Sequence, residues 1–333
     1  MAVTDWGRLT SITQSFVLPA VVHQLKKEMP VLGRFLAKAK KRATGGVRIE
    51  QPVTYAFKTN GGWYNGLEVL NTNQESTRTR AYFDWKSISE PIVINNMEAF
   101  KNGAKMSNKE QVVDLLAQEM EEAKESLKNN LSTALFSDGT GASIGGTLNS
   151  AMNGLKNLVD DGTQVTSLGD ITYASYSWWQ STVSNTSLSL TLSHLATQYS
   201  AASSGNEAQS VDLIVSTETL FNAYEALHRP NIRWNNPTSG STINPSGMKL
   251  AYRGAEFVAD EYCPSTYLWG LNTRTIDMFV GDHPVHATNK DGFTVTPMRE
   301  PTDQDGQVAF LLMYCQLVNQ RPARSFKSIQ VIA

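Results

Sequence analysis

Two histidines, His283 and His286, are close enough in sequence to share a metal, and two adjacent carboxylate pairs, Glu121-Glu122 and Asp160-Asp161, could supply an acid and a base. Neither set completes its chemistry. No third His, Cys or acidic ligand follows the histidines at a metal-site spacing, and Pro284 between them reads as a turn. Neighbouring helical residues diverge by about 100°, so adjacent carboxylates cannot flank one substrate bond and read as solvated faces. The stretch Gly139 to Gly146, GTGASIGG, has the glycine content of a phosphate cradle. It follows a helical pattern, however, where a dinucleotide fingerprint follows a strand, and it lacks a Gly-Lys-Ser/Thr ending, so it reads as a connector. Cys263 and Cys315 each lie in an apolar stretch and read as small core residues rather than as a disulfide. Without a G-x-S-x-G elbow or an H-E-x-x-H helix, the expectation is no catalytic residue, no cofactor and no metal. A hydrolase using an acidic pair distant in sequence is the weaker alternative.

The elements around these residues say more. Residues 107–136 carry apolar side chains at Val112, Leu116, Met120, Ala123, Leu127 and Leu131, the spacing of one helical stripe, opposite Glu110, Asp114, Glu121, Lys124, Glu125 and Lys128. Ser107 and Glu110 stand in capping-box relation, and Asp138-Gly139 ends the pattern. A helix of about 28 residues, roughly 42 Å long, is implied. Its stripe is expected to face the C-terminal strands, with contacts at Leu116 and Leu127.

Before it, residues 1–46 hold Arg8, Lys26, Lys27, Arg34, Lys38, Lys40, Lys41 and Arg42 against Asp5 and Glu28, interleaved with short apolar pieces broken by Pro19 and Pro30. Such pieces form no core of their own, which favours an arm reaching a neighbour or an acidic partner over an extension packed on its own domain. After Gly45-Gly46 the period changes to two. Val47 to Lys58 and Arg80 to Lys86 read as strands of a long hairpin, the first about eleven residues and 36 Å. Its Gly- and Asn-rich tip carries Trp63, Tyr64, Leu67, Val69 and Leu70, with Trp85 in the returning strand. A two-stranded hairpin is marginal in water, so the tip is expected to lie on another subunit, with a hairpin folded back on its own core as the alternative.

Beyond the connector, helices over 190–199 and 217–228 mix with strands at 211–215, 248–258, 266–271, 276–280, 293–296, 307–319 and 325–332. There is no regular βαβ rhythm, and the class expected is α+β. The 333 residues, 41% hydrophobic with net charge −2, exclude a disordered chain and a globally basic nucleic-acid binder. The longest apolar run, Val308 to Val318, is about half of a membrane span, and no membrane is expected.

Several stretches resemble the major capsid proteins of tailed bacteriophages, the Hong Kong 97-type fold. They include Phe136-Ser-Asp-Gly-Thr140, Gly154-Leu155 through Gly162, Trp178-Trp179-Gln180, Asp212-Leu-Ile-Val215, Arg253-Gly254-Ala255, Asp260 to Pro264 and Leu271-Asn272-Thr273. The resemblance implies an N-terminal arm over 1–45 and an extended loop over 46–95. A peripheral domain would follow from 96–139 and 281–333, built on the spine helix 107–136, with an axial domain over 140–280. It further implies pentamers and hexamers closed into an icosahedral shell around double-stranded DNA, assembled in the cytoplasm of a bacterial host and found in the virion. Subunit contacts would come from Trp63, Tyr64, Leu67, Val69, Leu70 and Trp85. Arm or DNA contacts would come from Lys26, Lys27, Arg34, Lys38, Lys40, Lys41 and Arg42, and the spine core from Val112, Leu116, Met120, Leu127 and Leu131. Portal and scaffolding proteins, and possible decoration proteins, are the other partners it implies.

Some relatives lose an N-terminal segment to a protease; this chain starts almost at the arm, and no cleavage is expected. Lys58 is a conceivable donor for the Lys-Asn cross-links of some relatives, but no acceptor or Glu catalyst stands out, so none is expected. An encapsulin-like cargo compartment shares the fold and is the alternative.

Overall fold

The computed structural model describes residues 28–38, 41–43, 45–101, 115–144, 146–185, 189–203, 210–228, 250–289, 292–329 and 331. The described residues open with helix α1 (Pro30–Ala37) and strand β1 (Lys41–Ala43), followed by the hairpin β2 (Arg48–Thr54) and β3 (Arg78–Asp84). Strand β4 (Lys86–Asn95), the short α2 (Asn96–Lys101), the long α3 (Leu115–Leu135) and one turn of helix, α4 (Leu155–Leu158), come next. A small hairpin of β5 (Ser167–Leu168) and β6 (Ile171–Thr172) leads to β7 (Thr182–Ser184), α5 (Leu192–Ala202), β8 (Leu213–Ser216) and α6 (Glu218–His228). The strands of the remaining described residues are β9 (Ala251–Tyr252), β10 (Ala255–Ala259), β11 (Tyr267–Leu271), β12 (Ile276–Gly281), β13 (Thr294–Val295), β14 (Gly306–Asn319) and β15 (Phe326–Ile329). The expected strand over 248–258 is two strands, because Arg253 and Gly254 both take positive φ in a tight turn.

Two sheets organise these elements. In the first, β4 occupies one edge of β14 from Gly306↔Asn95 to Cys315↔Lys86. The other edge takes β13 at Leu311 and Leu312 and β12 from Tyr314 to Asn319, and β1 adds to β12 in parallel. Every residue of β14 from Cys315 to Asn319 is buried, as a strand covered on both faces requires. The second sheet runs β7-β15-β11-β8-β10-β9. Its central strand β8 alternates between two cores: Leu213 and Val215 face one with Trp269 and Leu271, while Ile214 faces the other with Leu220, Tyr224 and Phe257. The chain passes between the sheets more than once, since β12 and β14 lie in the first and β11 and β15 in the second. The 3-10 turn Pro322–Arg324 makes the last of these passages.

Helix α3 lies along β4, where the Ser126 hydroxyl donates to Glu90 at 2.9 Å. Leu127, Leu131 and Leu135 are buried in the core that also holds Ile92, Ala309, Leu311 and Met313, and the strand directly along the helix is β4. Met120 is half-buried on the same core. Leu116 corrects the expectation, being 40% exposed. Counted back from Ser126 at 1.5 Å per residue, it stands about 15 Å along the helix from the Ser126–Glu90 contact. Val112 and the capping box at Ser107 and Glu110 fall outside the described residues.

The described part of the arm packs on its own subunit rather than reaching away. Val31, Leu32 and Phe35 of α1 are buried in the first core, and β1 completes the sheet edge. A short helix with one apolar face gains its stability from such docking, which overrides the Pro-interrupted pattern. Arg34 pairs with Glu256 at 2.7 Å, and Lys38 donates to the Ile276 carbonyl at 3.4 Å and stands 3.8 Å from Asp277. These two cations are therefore tied to their own chain. Lys26, Lys27 and Lys40 lie outside the described residues.

Replacing Leu127 by Ala should cost about 2–5 kcal/mol of stability, the usual range for a core leucine. Leu116→Ala should change it by no more than about 0.5 kcal/mol. Urea denaturation of the two variants compares them, and equal losses would place Leu116 in the core.

Candidate assembly surface

The hairpin is firmly rooted. Its ladder pairs Arg48 with Asp84 through to Thr54 with Arg78, and Ile49, Ala81 and Phe83 point into the core as their alternation predicts. Arg48 reaches Asp84 at 2.9 Å and Asp170 at 3.3 Å, Arg80 reaches Glu50 at 3.0 Å, and the Tyr82 amide donates to the Gly169 carbonyl. Tyr55 stacks on Trp178 with ring centroids 5.5 Å apart, so the Trp178-Trp179 pair props the base of the loop. Exposed ion pairs contribute little each; buried apolar and aromatic contacts fix the root.

Past Thr54 the regular ladder stops, four residues short of the expected strand end. Residues 55–77 are held by side chains instead. Tyr55 still bonds Thr77 and Ser76, the Thr59 amide and hydroxyl both donate to Glu75, and Asn60 donates to the Asn73 carbonyl at 2.6 Å while accepting from Asn71 at 2.8 Å. The two bonds from Thr59 hold the Glu75 carboxyl below its usual range. Asn, Gly and Thr bond locally rather than building a ladder, which is why the strands are seven residues long. Beyond this clasp Trp63, Tyr64, Leu67, Val69 and Leu70 all face solvent, and Phe57, on the root side of the clasp, is exposed as well. Trp85, grouped with them by sequence, is half-buried on its own core beside Gly281. It continues the inward alternation of Ala81 and Phe83.

None of the chemistry-bearing residues assembles into a reactive site. His283 Nδ1 accepts from the amides of Val285 and His286, each at 3.1 Å, so its ring caps the turn at Pro284 while stacking on His286. Among the described residues, no three potential metal ligands come together. Both cysteines are free and buried, and burial pushes the Cys315 thiol up to about 12. The connector after α3 is anchored by Gly154, where a Cβ would stand 2.3 Å from the Ser137 carbonyl oxygen and 2.4 Å from that of Ala134. No other residue fits against the helix end. Among the described residues no helix is long and apolar enough to cross a membrane.

Asp160 departs from the expected solvated face, for it is fully buried. Its Oδ1 accepts from Lys327 Nζ at 2.7 Å, and its Oδ2 accepts from the amides of Gly162, Gln164 and Val165. The ammonium, equally buried, also donates to the Lys156 carbonyl and Gln164, and sits 5.8 Å from the Trp269 ring centroid. Desolvation pulls Lys327 below the usual lysine range, against the opposing effect of Asp160. The pair locks the 160–165 turn to strand β15. It escaped the sequence reading because its partners are 167 residues apart. One signal was available: a lysine in the middle of an apolar strand. Lys327→Met should cost about 3–5 kcal/mol, because it strands a buried carboxylate. Chemical denaturation measures it, and a loss below about 1 kcal/mol would mean that water takes the place of the ammonium.

No protein-family model and no curated protein matches the sequence. Solved structures do match in fold. A chain of the cyanophage A-1(L) capsid asymmetric unit superposes with a TM-score of 0.70 at 13% identity, over 97% of this chain and 98% of its own. The capsid of a native GTA particle matches with a TM-score of 0.62 at 8% identity, over 99% and 98%. The holo-SrpI encapsulin complex from Synechococcus elongatus PCC 7942 matches with a TM-score of 0.58 at 11% identity, over 99% and 96%. Over nearly its whole length, through the extended loop and long helix to the returning strands, this chain has the Hong Kong 97-type fold of phage major capsid proteins.

Proposed function

We propose that this chain is the major subunit of a tailed-phage capsid, assembling as pentamers and hexamers into an icosahedral shell that encloses double-stranded DNA. The observation that carries this reading is the loop over 55–77. A chain that buries Trp179, Trp269 and Tyr224 in its cores leaves Trp63, Leu67 and Val69 fully exposed on a rigidly rooted extension. Several large apolar side chains left exposed close together in one loop mark an interface. In a ring, a patch meeting a different surface on the next copy closes the assembly without leaving a free end. Trp63, Tyr64, Leu67, Val69 and Leu70 are the contact residues in this reading. Lys41 and Arg42, with Lys26, Lys27 and Lys40, are the cations for a neighbour or for phosphate, which they would bind without reading sequence. Portal and scaffolding proteins complete the particle, which forms in the cytoplasm of its host.

The likeness to the encapsulin gives a second reading, a compartment for cargo protein. Electron microscopy of the purified protein, with nuclease digestion and sizing of protected nucleic acid, separates the two. Shells holding genome-length DNA are expected. Shells filled with a cargo protein would favour the compartment, and uniform dimers or tetramers would end both readings. Trp63→Ala should leave the thermal midpoint of the free subunit unchanged while reducing shell yield by about tenfold or more, the equivalent of about 1.4 kcal/mol at a contact. Equal loss of both would place Trp63 in the fold of the monomer.

A further inference from the structure

The loop tip carries a second kind of chemistry. Three Asn-Gly pairs lie within the described residues, Asn60-Gly61, Asn65-Gly66 and Asn153-Gly154. An asparagine followed by glycine is open to attack on its side-chain amide by the next backbone nitrogen, because glycine places no Cβ in the way. The structure separates the three. Asn60 is clamped across the loop, donating to the Asn73 carbonyl and accepting from Asn71. Asn153 is half-buried with its amide on Gln316, and Gly154 is wedged against the carbonyls of Ser137, Ala134 and Leu135. Asn65 is exposed and its side-chain amide has no hydrogen-bond partner among the described residues. Gly66 takes φ +61°, with open space where a Cβ would stand.

We infer that Asn65 is a spontaneous deamidation site of the free subunit, and that its reaction retires subunits that have not joined a shell. The Gly66 nitrogen loses its proton to water or hydroxide and bonds to Asn65 Cγ. The Cγ–Nδ2 bond breaks and ammonia leaves, closing a succinimide. Water then opens the ring at Cγ to give aspartate, or at the backbone carbonyl to give isoaspartate. The net change is amide plus water to carboxylate plus ammonium. Either product changes the turn. Asn65 N–H now donates to the Glu68 carboxylate at 3.1 Å, and the Glu68 amide returns to the Asn65 carbonyl. A new carboxylate repels Glu68, and isoaspartate also adds a methylene to the backbone within this reciprocal cap. Leu67, between the two, is one of the apolar residues of the proposed interface, so the altered tip would no longer fit its neighbour.

The timing part of this inference rests on the proposed shell. Full-length protein is separated by sedimentation into free subunits and shells, incubated at mildly alkaline pH, and mapped by peptide mass spectrometry with fragmentation that identifies isoaspartate. In free subunits, conversion at Asn65 should exceed that at Asn60 and Asn153 by about tenfold or more, corresponding to about 1.4 kcal/mol in barrier. Equal conversion at the three overturns the site. Asn71→Ala should release Asn60 and raise its rate toward that of Asn65; an unchanged rate would show that the clamp is not what protects it. Asn65→Asp should retain the thermal midpoint of the free protein and reduce shell yield by about tenfold, and an unchanged yield overturns the retirement role. Equal conversion in shells and free subunits would instead mean that the tip is uncovered in the particle, which overturns the loop contact and leaves the site standing.

Discussion

Strand β14 is the constraint on which the rest of the molecule depends. A strand has two edges, and β14 has both filled, by β4 on one side and by β13 and β12 on the other. Its faces are filled as well along the last five residues. Each neighbour brings its own attachment: β4 carries α3 above it and the loop before it, and β12 carries the docked arm through β1. Removing register at β14 would therefore displace the arm, the loop and the spine helix together. A strand buried on every side has its register set by the alternation of its side chains, since a slip by one residue exchanges the two faces.

The two sheets are coupled by chain crossings and by one polar junction. β15 leaves the first sheet's neighbourhood through the Pro322 turn and enters the second between β7 and β11. Within it, Lys327 meets Asp160, whose other oxygen gathers three backbone amides. Burying an ion pair costs solvation that the mutual attraction recovers only when the remaining hydrogen-bonding capacity is met. Here it is met on both partners, so the junction fixes geometry without leaving a charge unpaired. The loop over 55–77 projects from this body, and a projecting loop keeps its aim only when its base is fixed.

That contrast, between a body that satisfies its own surfaces and a loop that does not, runs through the charged residues as well. Arg34 and Lys38 are engaged by Glu256 and by the Ile276–Asp277 edge, and the basic stretch is thus partly spent within the subunit. Residues 55–77 follow the opposite rule: their polar side chains bond to one another to stiffen the extension, and Trp63, Leu67 and Val69 are left exposed.

Much of this was legible in sequence. The α+β class, the order of elements, the buried side of the hairpin at Ala81 and Phe83, and the core positions Leu127 and Leu131 follow from periodicity, because side-chain spacing is a local property of helix and strand. The exposed tip was legible too, as apolar residues set among Gly and Asn. Tertiary structure alone decided the rest. Leu116 continues the helical stripe faultlessly and is still exposed, because periodicity does not say which turns of a helix the core covers. The arm docks because a surface made by α3 and β12, far away in sequence, receives Val31, Leu32 and Phe35. Asp160 reads as solvated beside Asp161 until β15 brings Lys327 to it. In each case the deciding partner lies far along the chain, and only folding sets the distance between them.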